Sequence, residues 1–185
     1  GDLTRWLYLV LGMGGAFLFY SGNILWIESR IKRQKNPTLP LPNQRKDVRF
    51  IASLTIGACL GSILAIVASM LIGRWAYVIN AELVSLNHWF MYSYYAVFLS
   101  CLIYSFIKGA GKALPQLLIS IAILLCLLPL TSFIALLLPN MGLWSSHSSL
   151  WWIDIVAVVM AILFLRFYIQ AKHRQKNIEA GSIWA

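Results

Sequence analysis

Three histidines, three cysteines and six acidic residues are the chief chemical vocabulary of this 185-residue chain. Two of the histidines carry the most specific possibility. His88 opens an apolar run as Asn87-His88-Trp89, and His147 stands just before another. If the runs are helices crossing a membrane alternately, both imidazoles fall near one membrane face. A b-type haem inside a bilayer takes a neutral imidazole from each of two neighbouring helices at matched depth. His88 and His147 are therefore candidate cofactor-binding residues for haem b, together or singly with a partner from elsewhere, and haem iron at His88 is the one metal expected. The plainer reading makes both interfacial polar groups, bonded to water or lipid. Phe90, Tyr92, Tyr94, Tyr95 and Phe98 follow His88 closely; they suit a porphyrin pocket, and at helical spacing they suit ordinary packing as well. His173, within Lys172-His173-Arg174, belongs to a basic flank.

The remaining polar groups offer less. Asp154 lies one turn into an apolar run, where an unpaired carboxylate costs on the order of 2 kcal/mol or more. It either pairs with Arg74 or His88 or stays hydrated near the membrane lip. Asn23 is better suited to an interhelical hydrogen bond than to a ligand, and Glu28 and Arg166 can extend to the membrane surface. Cys59, Cys101 and Cys126 sit inside apolar runs without CxxC spacing, which implies neither a disulfide framework nor zinc. No GxSxG, HExxH, Walker loop or GxGxxG occurs, so hydrolysis and nucleotide binding of the soluble kind are not expected.

The elements that must hold these residues are five apolar runs: Leu3–Ile27, Phe50–Ile72, His88–Ile107, Gln116–Leu138 and Trp151–Ile169. Each is about the ~20 residues that a helix needs to cross ~30 Å of hydrocarbon. The chain is 60% hydrophobic and 11% charged, against roughly a quarter charged in soluble domains. The expected fold is an all-α polytopic membrane bundle of five transmembrane helices, one domain over residues 1–185. Its net charge of +9 does not argue for nucleic acid, because the cations flank the apolar runs, where anionic lipid attracts them. Thirteen of 15 Lys and Arg fall on one side of an alternating model: seven between the first two runs, two between the third and fourth, and four at or after the end of the fifth. Only Arg5 and Arg74 fall on the other. The positive-inside rule then puts the N-terminus outside and the C-terminus in the cytoplasm.

Six of eight Trp, namely Trp6, Trp75, Trp89, Trp144, Trp151 and Trp152, fall on the outer side, as an interfacial belt requires. Gly57 and Gly61 form a GxxxG in the second run, with Ser53 and Ala65 on the same face, a packing seam of the kind that lets helix backbones approach closely. A seam within the bundle is expected, with a homodimer seam as the other option; Gly12, Gly14, Gly15 and Gly22 of the first run are expected to oppose it. Segment Gly73–Asn87 reads as an outer loop along the head groups. Pro129 interrupts the fourth run and predicts a kink, with Thr131 and Ser132 able to bond freed backbone groups. The chain begins Gly1-Asp2-Leu3, and its first run is too long for a signal-peptide core. It is expected to be the C-terminal part of a longer protein.

Particular strings then resemble a known family. Trp6-Leu7-Tyr8-Leu9-Val10-Leu11-Gly12, then Ser21-Gly22-Asn23-Ile24-Leu25-Trp26-Ile27-Glu28 before the basic run, resemble the membrane portion of the PepSY-associated transmembrane proteins. Tyr94-Tyr95-Ala96-Val97-Phe98-Leu99 and Pro129-Leu130-Thr131-Ser132 are similar to later helices of that family. The resemblance implies a bacterial inner-membrane protein of iron acquisition, with a further helix and a periplasmic PepSY region upstream of Gly1. It implies haem-mediated electron transfer to periplasmic ferric siderophores, which makes a haem-dependent ferric-siderophore reductase the possible enzyme. Of the family's haem ligands only His88 carries over, by position. The other function is a non-enzymatic membrane anchor or assembly subunit for a periplasmic module. A transporter would predict inverted repeats and ionisable groups at mid-membrane, and neither is evident.

Overall fold

A computed structural model of the chain describes residues 11, 15, 18–30, 46–78, 83–137 and 150–176. Among these, every residue but Gly109 is helical. The helices are α1 (18–30), α2 (Lys46–Val78), α3 (Leu83–Lys108), α4 (Ala110–Leu137) and α5 (Leu150–Lys176). Four of them, α2 to α5, are long and apolar enough to cross a membrane. Of the first apolar run, the later half is α1; most of the rest lies outside the described residues.

The helix that organises the bundle is α2. Half of its apolar window is buried, against 11% for α3 and 17% for α5. Small side chains explain how neighbours come so close. A Cβ on Gly57 would lie 3.0 Å from the Ser105 Cβ and one on Gly61 2.9 Å from the Cys101 Cβ. Beside them the buried Ser105 hydroxyl donates to the Ser53 carbonyl at 2.7 Å. Without a hydrophobic drive between helices in lipid, such close van der Waals packing and interhelical hydrogen bonds supply the association energy. The Gly57/Gly61 seam thus faces α3. The expectation that glycines of the first run would oppose it is corrected where they are described, since nothing lies within 4 Å of a Cβ built on Gly15 or Gly22. Instead α1 meets α2 through polar groups, Asn23 Nδ2 donating to Thr55 Oγ1 at 3.1 Å, and through Ile27, fully buried in the common core.

These contacts fix the helix directions. The pairs Gly57/Ser105, Gly61/Cys101 and Gly73/Phe90 run in opposite order along α2 and α3, so the two are antiparallel. Gln175 of α5 reaches Gly111 of α4 while Asp154 shares Arg74 with Leu128 of α4; α4 and α5 are antiparallel too. One end of the bundle therefore collects Lys46, Arg49, Lys108, Lys112, Lys172 and Arg174. Trp75, Trp89 and Trp152 are exposed at the other.

Helix ends depart from the apolar runs. The expected outer loop Gly73–Asn87 is mostly helix, since α2 continues to Val78 and α3 begins at Leu83; only residues 79–82 lie outside the described ones. A Cβ on Gly73 would overlap Cζ at the tip of the Phe90 ring, so the glycine is there for close approach and ends nothing. Between α3 and α4 the connection is the single residue Gly109, at φ +78°, in the left-handed region that glycine enters without a Cβ penalty. That position lets α4 start at Ala110 with Pro115 inside it. Proline leaves the carbonyl four residues earlier without its helical donor. For Pro115 that carbonyl belongs to Gly111, and Gln175 Nε2 donates to it at 2.5 Å.

Candidate functional site

At the end opposite the cations, α2, α4 and α5 meet at one guanidinium. Arg74 Nη1 donates to the Leu128 carbonyl at 2.9 Å, to Thr131 Oγ1 at 3.0 Å and to Ser132 Oγ at 3.0 Å. Both hydroxyls in turn donate to that carbonyl, Thr131 at 2.7 Å and Ser132 at 3.3 Å. Arg74 Nη2 lies 3.8 Å from Asp154 Oδ1, and the two side chains are 13% and 16% exposed. Among the described residues, Asp154 Oδ1 accepts no hydrogen bond; its relation to Arg74 is that of charges close together rather than a direct bond. The helix-bonding habit of Thr and Ser three and four residues after a carbonyl turns the segment around Pro129 into a cradle of oxygen atoms. An arginine, planar and with five donors, is the side chain able to use several of them at once.

Of the two partners considered for Asp154, the structure selects Arg74. The cluster as a whole was only partly visible in the residues. Arg74 reads as a head-group residue in a loop, and Thr131 and Ser132 read as accessories of Pro129. Nothing in one helix announces that its arginine is accommodated by another. The available signal was the coincidence of a cation, an acid and two hydroxyls at one predicted depth.

His88 stands on α3, exposed, in its second turn, its ring stacked on Tyr92 at 6.1 Å between centroids. His147 lies outside the described residues. His173 is exposed in the last turns of α5, at the opposite end of the bundle from His88. Tyr94 stacks on Phe98 at 6.0 Å and meets Tyr95 edge-on at 5.4 Å, contacts made within α3 itself. Among the described residues no group of three or more His, Cys, Asp and Glu is placed to hold a metal ion. The residues present fit a bis-imidazole haem only in part: His88 offers one exposed imidazole, and no second described imidazole shares its depth. Gly57 and Gly61, the packing pair, are buried against α3. Cys101 is buried in that seam, Cys59 is half-buried and Cys126 is exposed, each a free thiol.

Compared with protein-family models, curated proteins and solved structures, the chain matches none.

Proposed function

We propose that this chain is the membrane domain of a PepSY-type inner-membrane protein of iron acquisition, serving haem-mediated electron transfer to periplasmic ferric siderophores. The observation that carries the reading is His88, an imidazole on an open helix face at the end of the bundle away from the cations. By the positive-inside rule the basic end is cytoplasmic, which puts His88 on the periplasmic side, where the acceptor would be. Of the strings behind the resemblance, the one from Ser21 to Glu28 falls on α1, the one from Tyr94 to Leu99 on α3 and the one from Pro129 to Ser132 on α4, the last holding Arg74; the one from Trp6 to Gly12 lies almost wholly outside the described residues. Haem, when bound, supplies one-electron transfer tuned by its ligands and surroundings. This chain's contribution would be one axial imidazole and a fixed position for it; the second must come from His147 or from another polypeptide segment.

A second reading, a membrane anchor or assembly subunit for a periplasmic module, is favoured by the Arg74 cluster. Those ionisable groups are spent tying α2, α4 and α5 together rather than lining an open site. The test is a reduced-minus-oxidised absorption spectrum of the full-length protein in mild detergent. A b-type spectrum lost on His88→Ala, at unchanged yield, is the expected result. A colourless preparation at normal yield overturns electron transfer and leaves the anchor.

A further inference from the structure

The core-facing stripe of α5 runs through Ala157, Ala161 and Phe164 to Tyr168 and Ala171. At 3.6 residues per turn, the opposite side of the helix carries Trp152, Ile155, Val159, Arg166, Gln170 and His173, all exposed. That column is apolar toward the outer end and polar toward the basic end, and Arg166 begins its polar part. At 1.5 Å per residue Arg166 lies about 21 Å along the axis from Trp152. With Trp152 at the outer interface, it stops roughly 9 Å short of the far side of a ~30 Å hydrocarbon layer. The Cα–Cβ bonds of a helix tilt toward its N-terminus, which for α5 is the outer end, so the Arg166 side chain leaves the backbone pointing away from the nearer head groups. A guanidinium facing lipid at that depth calls for an anion. Among the described residues Arg166 makes no hydrogen bond or ion pair, and the one acid of α5, Asp154, is near the other end of the helix. Arg74 is satisfied inside the bundle by oxygens of α4; Arg166 must be satisfied from outside.

The chemistry of the column selects its occupant. A phosphate presents the oxygens that a guanidinium binds bidentately. Gln170, one turn below, and His173, two turns below, add N–H donors. The rise from Ile155 to Arg166 is about 16 Å, the ~15 Å length of one leaflet's hydrocarbon, so an acyl chain fits the apolar part while its phosphate meets the polar part. Lys172, Arg174 and Lys176 follow Arg166 with no acid between them, so the ammonium of a zwitterionic head group meets only like charge. A helix from another polypeptide would have to carry a carboxylate into the hydrocarbon at the cost of an intramembrane charge, whereas a phospholipid keeps its charge at the head-group level and needs only local thinning of the bilayer to meet Arg166. We propose that this face of α5 binds one anionic phospholipid of the inner leaflet, its phosphate held by Arg166 and Gln170 and an acyl chain lying along Ile162, Val159 and Ile155.

Native mass spectrometry of the purified full-length protein, in neutral detergent with added phosphatidylglycerol or phosphatidylcholine, counts the lipid retained. One phosphatidylglycerol should be held in preference to phosphatidylcholine. Arg166→Gln should weaken its binding about fivefold, the worth of one cation beside an anionic head group. Arg166→Lys, which keeps the charge but not the fork, should lose less. Lys108→Gln, which removes the same charge from the same end of the bundle, should change nothing. Equal loss from Lys108→Gln, equal retention of the two lipids, or displacement of phosphatidylglycerol by equimolar inorganic phosphate each overturns the site. In native membranes a benzophenone side chain placed at Ile162 should label lipid; its cross-linking to a polypeptide overturns lipid as the occupant.

Discussion

Arg74 is the residue on which the largest number of polar contacts converge. Removing it as Arg74→Leu leaves Asp154 in the bundle without its counter-charge, and breaking a buried pair from one side typically costs about 3–5 kcal/mol. Asp154→Asn should cost less, because Leu128, Thr131 and Ser132 still hold the guanidinium. The double substitution should cost less than the two singles added, since the residues share one network; thermal denaturation in detergent measures all three. Gly73 makes a sharper prediction from sterics alone. Gly73→Ala drives a methyl group against the tip of the Phe90 ring, an overpacking worth about 1–3 kcal/mol. Phe90→Leu in the same chain should recover much of it, read as a return of the melting temperature.

At the level of helices, two positions decide where α3 stops and α4 can start. Gly109→Ala forces an L side chain into φ +78° at a cost of about 1–2 kcal/mol, and should lower the melting temperature without changing helix content by circular dichroism. Gln175→Ala strips the Gly111 carbonyl of its donor, a loss of about 1–3 kcal/mol for an unsatisfied buried group. Because the vacancy exists only on account of Pro115, the loss should shrink in a Pro115→Ala background, where the alanine N–H fills it. Such pairings explain what could be read beforehand. Four of the five apolar runs are the long helices α2 to α5, because length and hydropathy are properties of one segment; most of the first run lies outside the described residues. Helix ends were misplaced by up to seven residues wherever the deciding partner sat on another helix: Phe90 for Gly73, Gln175 for Pro115, Leu128 for Arg74. The Gly57/Gly61 seam was legible and its partner was not, for a GxxxG says that something approaches closely without saying what. His88 was placed correctly near a helix start, but an isolated sequence could not show that its ring rests on Tyr92 over an open face.

For the molecule as a whole, the antiparallel order gathers the basic residues at one end and Trp75, Trp89 and Trp152 at the other. A thiol introduced as Lys112→Cys, in a chain freed of its natural cysteines, should react with an impermeant maleimide only after the cells are opened. Labelling of intact cells would reverse the orientation. The Arg74 cluster also bears on how the chain is made. Leu128 follows Arg74 by 54 residues, so at a synthesis rate of 5–20 residues per second the arginine waits roughly 3–11 s for its acceptors. During that interval α2 carries its cation without the α4 carbonyl and hydroxyls that bond it in the finished bundle. The growing chain should therefore hold the Arg74 end of α2 up in the head groups and let it sink only when α4 and α5 arrive, a late settling detectable as a change in depth between nascent chains halted before and after Asp154 has left the ribosome.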